Sequence, residues 1–169
     1  NRVDKHKIVL TQARYITDVL IKYGFDECRR VDCPSSGQVI TTADCPEGEA
    51  KLNPRGRRYR ELCGVLRWIE QCTRPDISAV LSELCKVQIN PGDVHVKALD
   101  HLMRYISSTR DYGIVFGQAQ GEHAFGKLVG FVDSDWAGDP DSTYSRGGYV
   151  FISHGSPVSW SSYKMKAVA

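Results

Sequence analysis

The sequence predicts an α+β chain in which a run of helices is followed by an antiparallel β-meander. Three observations predict it. Between Tyr59 and Ile106 apolar residues recur at helical spacing. After Thr109 the pattern changes to short β-rich runs with tight connections. Residues 26–56 have no period at all and set an earlier strand and helix apart from the rest.

Residues 7–10 (Lys-Ile-Val-Leu) read as a short strand. Thr11 suits the N-cap of a helix with Ala13, Ile16, Val19, Leu20 and Tyr23 on one face, and Gly24 suits its stop. Residues 26–56 carry Cys-Pro-Ser-Ser-Gly, Thr-Thr-Ala-Asp and Cys-Pro-Glu-Gly, the composition of a long polar linker. Tyr59, Leu62, Cys63, Leu66 and Ile69 then form a clean helical stripe. Pro75 and Asp76 suit the first turn of a second helix, with Ile77, Val80, Leu81, Leu84 and Cys85 inward. Asn90-Pro91-Gly92 is a turn and Asp93 an N-cap. A third helix follows, with Val96 or Leu99, Leu102, Met103 and Ile106 inward. Residues 112–116, 128–132, 148–153 and 157–162 read as strands, residues 118–126 as a loop, and His154-Gly155-Ser156 as a connection.

The 169 residues suffice for one domain or for parts of two larger ones. With 22 Lys and Arg against 20 Asp and Glu, the net charge of +2 excludes a histone-like tail or an acidic solvating segment. No apolar run approaches the roughly 18 residues of a membrane span, and no apolar stretch follows the polar start to make a signal peptide. There is no initiator Met, and Asn1 and Ala169 both read as cuts inside something longer. The six cysteines make no C-x-x-C, and the spacings around them suit zinc poorly. Cys63 and Cys85 fall on helical stripes, where a free thiol behaves as a small hydrophobe. A reduced, intracellular chain is expected, with cytoplasm and nucleus not distinguished.

Several stretches carry a resemblance. They include Gln12-Ala13-Arg14-Tyr15-Ile16, Tyr59-Arg60-Glu61-Leu62-Cys63-Gly64, Thr73-Arg74-Pro75-Asp76-Ile77 and Leu102-Met103-Arg104-Tyr105-Ile106. The most specific is Leu128-Val129-Gly130-Phe131-Val132-Asp133-Ser134-Asp135-Trp136-Ala137-Gly138-Asp139, followed by Gly148-Tyr149-Val150-Phe151 and Ser159-Trp160-Ser161-Ser162. In this order they resemble the Pol polyprotein of copia-type LTR retrotransposons, at the junction of reverse transcriptase and ribonuclease H. The chain departs from the family pattern at Tyr144-Ser145-Arg146-Gly147-Gly148 and at Tyr163-Lys164-Met165.

The resemblance implies a division of the chain: residues 1–25 end the reverse transcriptase region, 26–56 are a linker, 57–110 a helical connection, and 111–169 an incomplete ribonuclease H-like domain. It implies a parent that performs RNA-directed DNA synthesis and cleaves the RNA of RNA–DNA hybrids with Mg²⁺. Asp133 takes the position of the first ribonuclease H carboxylate. The polymerase aspartates would precede Asn1, and the next metal ligand would follow Ala169. Two-metal hydrolysis needs several converging carboxylates, so this chain alone is expected to be non-catalytic and to hold no stable Mg²⁺. Asp135 is a weaker metal candidate, about 6.6 Å along the strand from Asp133. An EF-hand reading of Asp133 to Tyr144 fails at Ala137 and at Tyr144, where the bidentate Glu belongs.

Arg55, Arg57, Arg58 and Arg60, four arginines in six residues, form a candidate nucleic-acid patch for an RNA–DNA hybrid; the plain alternative is a solvated charge run. Trp68 and Trp160 are expected in the core, with Trp136 exposed. A strand at residues 128–132 with one edge open invites self-association, or capping by residues 7–10 or 112–116. Alternatives to the polyprotein fragment are a host-retained nucleic-acid- or protein-binding module and a degenerate reading frame without function.

Overall fold

In the computed structural model the described residues are 2–4, 7–47, 54–117 and 128–166. The expected loop at residues 118–126 lies outside them. The architecture is α+β, with four α-helices and two antiparallel sheets among the described residues.

Helix α1 (Ala13–Tyr23) has Gln12, not Thr11, at its N-cap; Thr11 stands one residue before it and its Oγ1 accepts from the Ala13 N–H at 3.1 Å. Its buried face is Ile16, Val19 and Leu20. Gly24 ends it at φ 76°, with Phe25 N–H returning to the Leu20 carbonyl at 2.8 Å. Residues 26–47 contain no regular element beyond one 3-10 turn at Thr42–Asp44. They are nevertheless pinned along a later helix, α4 (Asp93–Ser108). Val31 N–H donates to Ser108 Oγ at 2.9 Å, and the rings of His101 and His95 meet the carbonyls of Cys33 and Thr41 at 2.9 and 3.0 Å. An irregular stretch can lie against a core when its backbone groups are satisfied in this way.

Helix α2 (Pro54–Thr73) carries the whole expected stripe inward: Tyr59, Leu62, Cys63, Leu66 and Ile69 are all buried. A 3-10 turn at Pro75–Ile77 leads into α3 (Ser78–Lys86), where Ile77, Leu81 and Leu84 are fully buried. Arg74 locks this corner. Its guanidinium is 1% exposed, pairs with Asp76 at 2.7 Å and donates to the Thr109 carbonyl at 3.0 Å and hydroxyl at 2.6 Å. Gly92, not Asp93, caps α4. Its extended backbone approaches Asp44 so closely that a Cβ would sit 2.0 Å from the Asp44 carbonyl oxygen, which excludes any side chain there. His95 Nδ1 accepts the Gly92 N–H at 2.9 Å, a cap that no spacing rule announces. Leu99, Leu102, Met103 and Ile106 complete the core.

The first sheet has the order β1 (Arg2–Asp4), β2 (Lys7–Thr11), β3 (Gly113–Phe116). Thus β3 leaves the meander and pairs with β2, from Ile8↔Phe116 to Thr11↔Gly113. At Gly113 a Cβ would lie 2.1 Å from the Leu10 carbonyl oxygen, so the pairing requires glycine. The expectation that one of these segments caps the later sheet is corrected here: each is already the other's partner.

The second sheet is the expected meander, β4 (Leu128–Ser134), β5 (Arg146–Ser153) and β6 (Ser156–Lys164). His154 and Gly155 turn β5 into β6 with φ 52° and 76°, the left-handed pair that matches the twist of a two-residue hairpin. Among the described residues, β4 pairs with β5 alone. No helix among them is long and apolar enough to cross a membrane.

Candidate functional site

Asp133 stands near the end of β4, opposite Gly148 of β5. Strand alternation places it on the face of Val129 and Phe131. That face looks across an open cleft of about 740 Å³ at the start of α3. Phe131, Val150 and Trp160 line the sheet side, and Pro75, Asp76 and Ala79 the helix side. Asp133 is exposed, and its Oδ1 accepts from the Ser134 N–H at 2.9 Å.

The carboxylate across the cleft, Asp76, is already committed. Burial acts to raise its pKa, but the Arg74 guanidinium and the Tyr105 hydroxyl, 2.9 Å away, outweigh it and hold the group ionised below the usual range. Asp135 is committed too. Its Oδ1 accepts from the Arg146 N–H at 2.7 Å and the Gly138 N–H at 3.2 Å, closing the loop between β4 and β5. A Cβ at Gly138 would come within 2.2 Å of Asp135 Oδ2, so glycine permits this closure. Among the described residues no three His, Cys, Asp or Glu side chains gather to hold a metal ion. The donors present therefore do not fit a two-Mg²⁺ centre, which needs several free carboxylates.

Sequence reasoning missed the polar centre of this region. Asp139, 1% exposed, takes the ammonium groups of Lys86 and Lys164 at 2.6 Å each, and the Ser142 hydroxyl at 2.5 Å. Burial opposes its charge, yet these three partners hold its pKa well below the carboxylate range. Lys86 also meets Glu83 at 2.8 Å, and Glu83 pairs with Arg146 of β5. Asp141 reaches back to the 3-10 turn, accepting from Thr41 Oγ1 at 2.7 Å and Thr42 N–H at 2.8 Å. The signal in the sequence is the row of aspartates that fails as an EF-hand. Their partners lie 53 residues upstream at Lys86 and about 100 upstream at Thr41.

The basic cluster opens α2. Arg57, Arg58 and Arg60 are exposed; Arg55 lies in the helix, its side chain outside the described residues. Arg58 donates to the Tyr23 carbonyl at 3.2 Å, capping the end of α1, and its charge acts with that of Arg104 on Asp100 of α4. Arg57 and Arg60 sit at a helix start without an acidic residue in its first turn. Trp136 is 78% exposed, as expected. Trp68 corrects the expectation of a core residue. It is 56% exposed because it lies two residues beyond Leu66, about 200° around the helix from that inward position. Trp160 is half-buried and outside the core cluster, donating its indole N–H to the Glu70 carbonyl at 3.2 Å.

No family model matches the chain, and no solved structure matches it. It is similar to the retrovirus-related Pol polyprotein from transposon TNT 1-94 of Nicotiana tabacum, 32% identical over 165 residues, which are 96% of the chain and 12% of that polyprotein. It is similar to the polyprotein from transposon RE2 of Arabidopsis thaliana, 34% identical over 161 residues, 94% of the chain and 10% of that protein. It is also similar to secreted RxLR effector protein 161 of Plasmopara viticola, 39% identical over 111 residues, 66% of the chain and 75% of the effector. The chain thus spans about a tenth of the two polyproteins.

Proposed function

The chain belongs to the retrovirus-related Pol polyproteins of copia-type transposons, and we propose that it is their passage from reverse transcriptase into ribonuclease H. In this reading residues 1–25 end the polymerase, 26–56 link, 57–110 form the helical connection, and 111–169 begin a ribonuclease H-like domain. The parent synthesises DNA on RNA and degrades the RNA of the hybrid with Mg²⁺. The observation that carries the reading is similarity over 94–96% of the chain, a span that includes the strand β4 bearing Asp133. Asp133 takes the first carboxylate position, and no step of the reaction follows from the donors present. The chain alone is non-catalytic.

A cleavage assay tests this directly. The purified chain with Mg²⁺ should leave an RNA–DNA hybrid intact; cleavage that disappears in Asp133→Asn would contradict the reading. The basic cluster is the nucleic-acid interface. Arg57→Ala with Arg60→Ala should weaken hybrid binding and lower the slope of log affinity against log salt by about one to two, roughly one for each phosphate no longer neutralised. Arg58 is left intact because it caps α1. An unchanged slope would return the cluster to a solvated charge run.

The effector comparison favours a second reading. A segment of this kind makes up most of a short protein elsewhere, so the chain is proposed alternatively as a retained binding module. Hybrid binding without any requirement for the remaining polyprotein would favour it. Self-association along β4 belongs to the first reading: Leu128 and Val132 are 66% and 76% exposed, and an edge strand templates pairing.

A further inference from the structure

The cleft beside Asp133 has a chemistry of its own. Strand register lays two rows across its sheet side. Phe131, Val150 and Trp160 stand abreast on β4, β5 and β6, and so do Asp133, Gly148 and Ser162. The rows lie two residues apart on one face, roughly 6.6 Å by strand rise. The first is apolar and aromatic, with Phe131 half exposed and Trp160 held by its bond to the Glu70 carbonyl. The second ends in the exposed carboxylate of Asp133. Gly148 leaves the space beside that carboxylate open: a Cβ there would meet only the Ser161 carbonyl oxygen, at an ordinary 3.6 Å. On the helix side Ser78 is 6% exposed, and its hydroxyl has no hydrogen-bond partner among the described residues. A buried hydroxyl left unpaired is costly, so the site is short of one partner. Charge narrows the choice of partner. Asp76 and Asp133 line the cleft, and among the described lining residues there is no Lys, Arg or His. Asp76 is spent on Arg74 and Tyr105 and stands just before α3, where it offsets the positive end of the helix dipole. Asp133 is the carboxylate left to face a ligand.

We propose that this cleft binds a small organic cation with an aromatic body, of the arylalkylammonium class. The ring lies against Phe131 and Trp160, whose π faces attract both an aromatic partner and a nearby positive charge. The ammonium reaches Asp133 through the gap that Gly148 leaves, two residues along the same face. A ring N–H or O–H donates to Ser78 Oγ and supplies the missing partner. An anion of the same shape is repelled by Asp76 and Asp133 together. The ligand class follows from the apolar row, the open carboxylate beside it and the orphan hydroxyl opposite. It does not rest on the polyprotein reading, which gives Asp133 a metal ion to hold; here the same carboxylate meets an ammonium without one.

The test titrates the whole chain with tryptamine in the presence of EDTA, followed by heteronuclear NMR. Tryptamine should bind with a Kd on the order of a millimolar, as a ligand of its size on an open face allows. It should shift the Trp160 indole signal and the amides of Ser78 and Gly148. Indole-3-propionate has the same ring and the opposite charge, and should bind roughly tenfold more weakly. Asp133→Asn should weaken tryptamine roughly two- to fivefold and remove the salt dependence of its binding. Gly148→Val fills the gap without touching the charge and should weaken it by roughly tenfold. The comparison of the two indoles on the wild-type chain decides the matter without any variant. Equal affinity for both, an Asp133→Asn titration that superimposes on the wild type, or shifts confined to Trp68 and Trp136 would overturn the proposal.

Discussion

Between Ile16 and Ile106 the described chain buries apolar side chains in one continuous core, eight of them with no exposure beyond 1% on α2, α3 and α4 alone. Between Leu128 and Lys164 no apolar side chain is buried among the described residues. The second sheet is held instead by polar contacts to α2 and α3: Asp139 with Lys86, Arg146 with Glu83 and Ser82, and Trp160 with the Glu70 carbonyl. The ladder of β4 and β5 runs in regular register and that of β5 and β6 shifts once, between Phe151 and Ile152, yet the apolar side chains of the sheet are at most half-buried. A three-stranded sheet needs a hydrophobic face or a helix to pack on for independent stability. The helical region is thus built on an apolar core, and the second sheet is anchored to it through polar contacts.

The largest expected effect tests the apolar core. Leu66→Ala, at a fully buried position, should cost about 4 kcal/mol and lower the midpoint of chemical denaturation followed by helical circular dichroism. A loss under about 1 kcal/mol would mean that the core is loose. Asp139→Asn comes next. It leaves Lys86 and Lys164 short of a carboxylate. Lys86 keeps Glu83 and Lys164 is a third exposed, so the cost should sit near the bottom of the range for a broken buried pair, about 3 kcal/mol. The loss should be local, appearing as faster amide exchange in β4–β6 with α2 and α4 unchanged.

Acid is a milder form of the same perturbation, since protonated Asp139 keeps its oxygens. Its folded pKa is depressed, so its contribution is complete above the unfolded value near 4 and is lost as pH falls below it. The sheet should therefore loosen before the helices in an acid titration followed by near-ultraviolet circular dichroism. Asp76 is also depressed, by Arg74, but the apolar core around it persists in acid. The smallest effect is at the surface. Val132→Lys, at a 76% exposed site, should change stability by less than about 0.5 kcal/mol. It should shift sedimentation toward monomer if β4 mediates self-association.

The parts of this comparison that were legible in the sequence are the local ones. The stripe Tyr59, Leu62, Cys63, Leu66 and Ile69 has the helical period because one face must be dry, and the same period exposes it to a reader. Leu128 to Val132 and Gly148 to Ser153 announce strands through β-branched and aromatic residues. Asp133 is singled out by resemblance alone, and nothing local distinguishes it from any other aspartate near a strand end. The illegible parts join distant segments. Nothing near Leu10 says that Gly113 pairs beside it, and nothing near Asp139 names Lys86. Nothing local marks Arg74 for burial, but its Nε, Nη1 and Nη2 donate to Asp76 and Thr109 and the side chain is 1% exposed. Long polar side chains carry no period, so their burial is decided only when the fold brings partners within reach.

The most direct test is native-state hydrogen exchange on the intact chain at neutral pH. Amides of α2 and α4 should exchange only through global unfolding, and those of β4, β5 and β6 through a separate opening of lower free energy that Asp139→Asn lowers further. Equal protection across the helices and the second sheet, unchanged by Asp139→Asn, would show one cooperative core and contradict the division into an apolar core and a polar-anchored sheet.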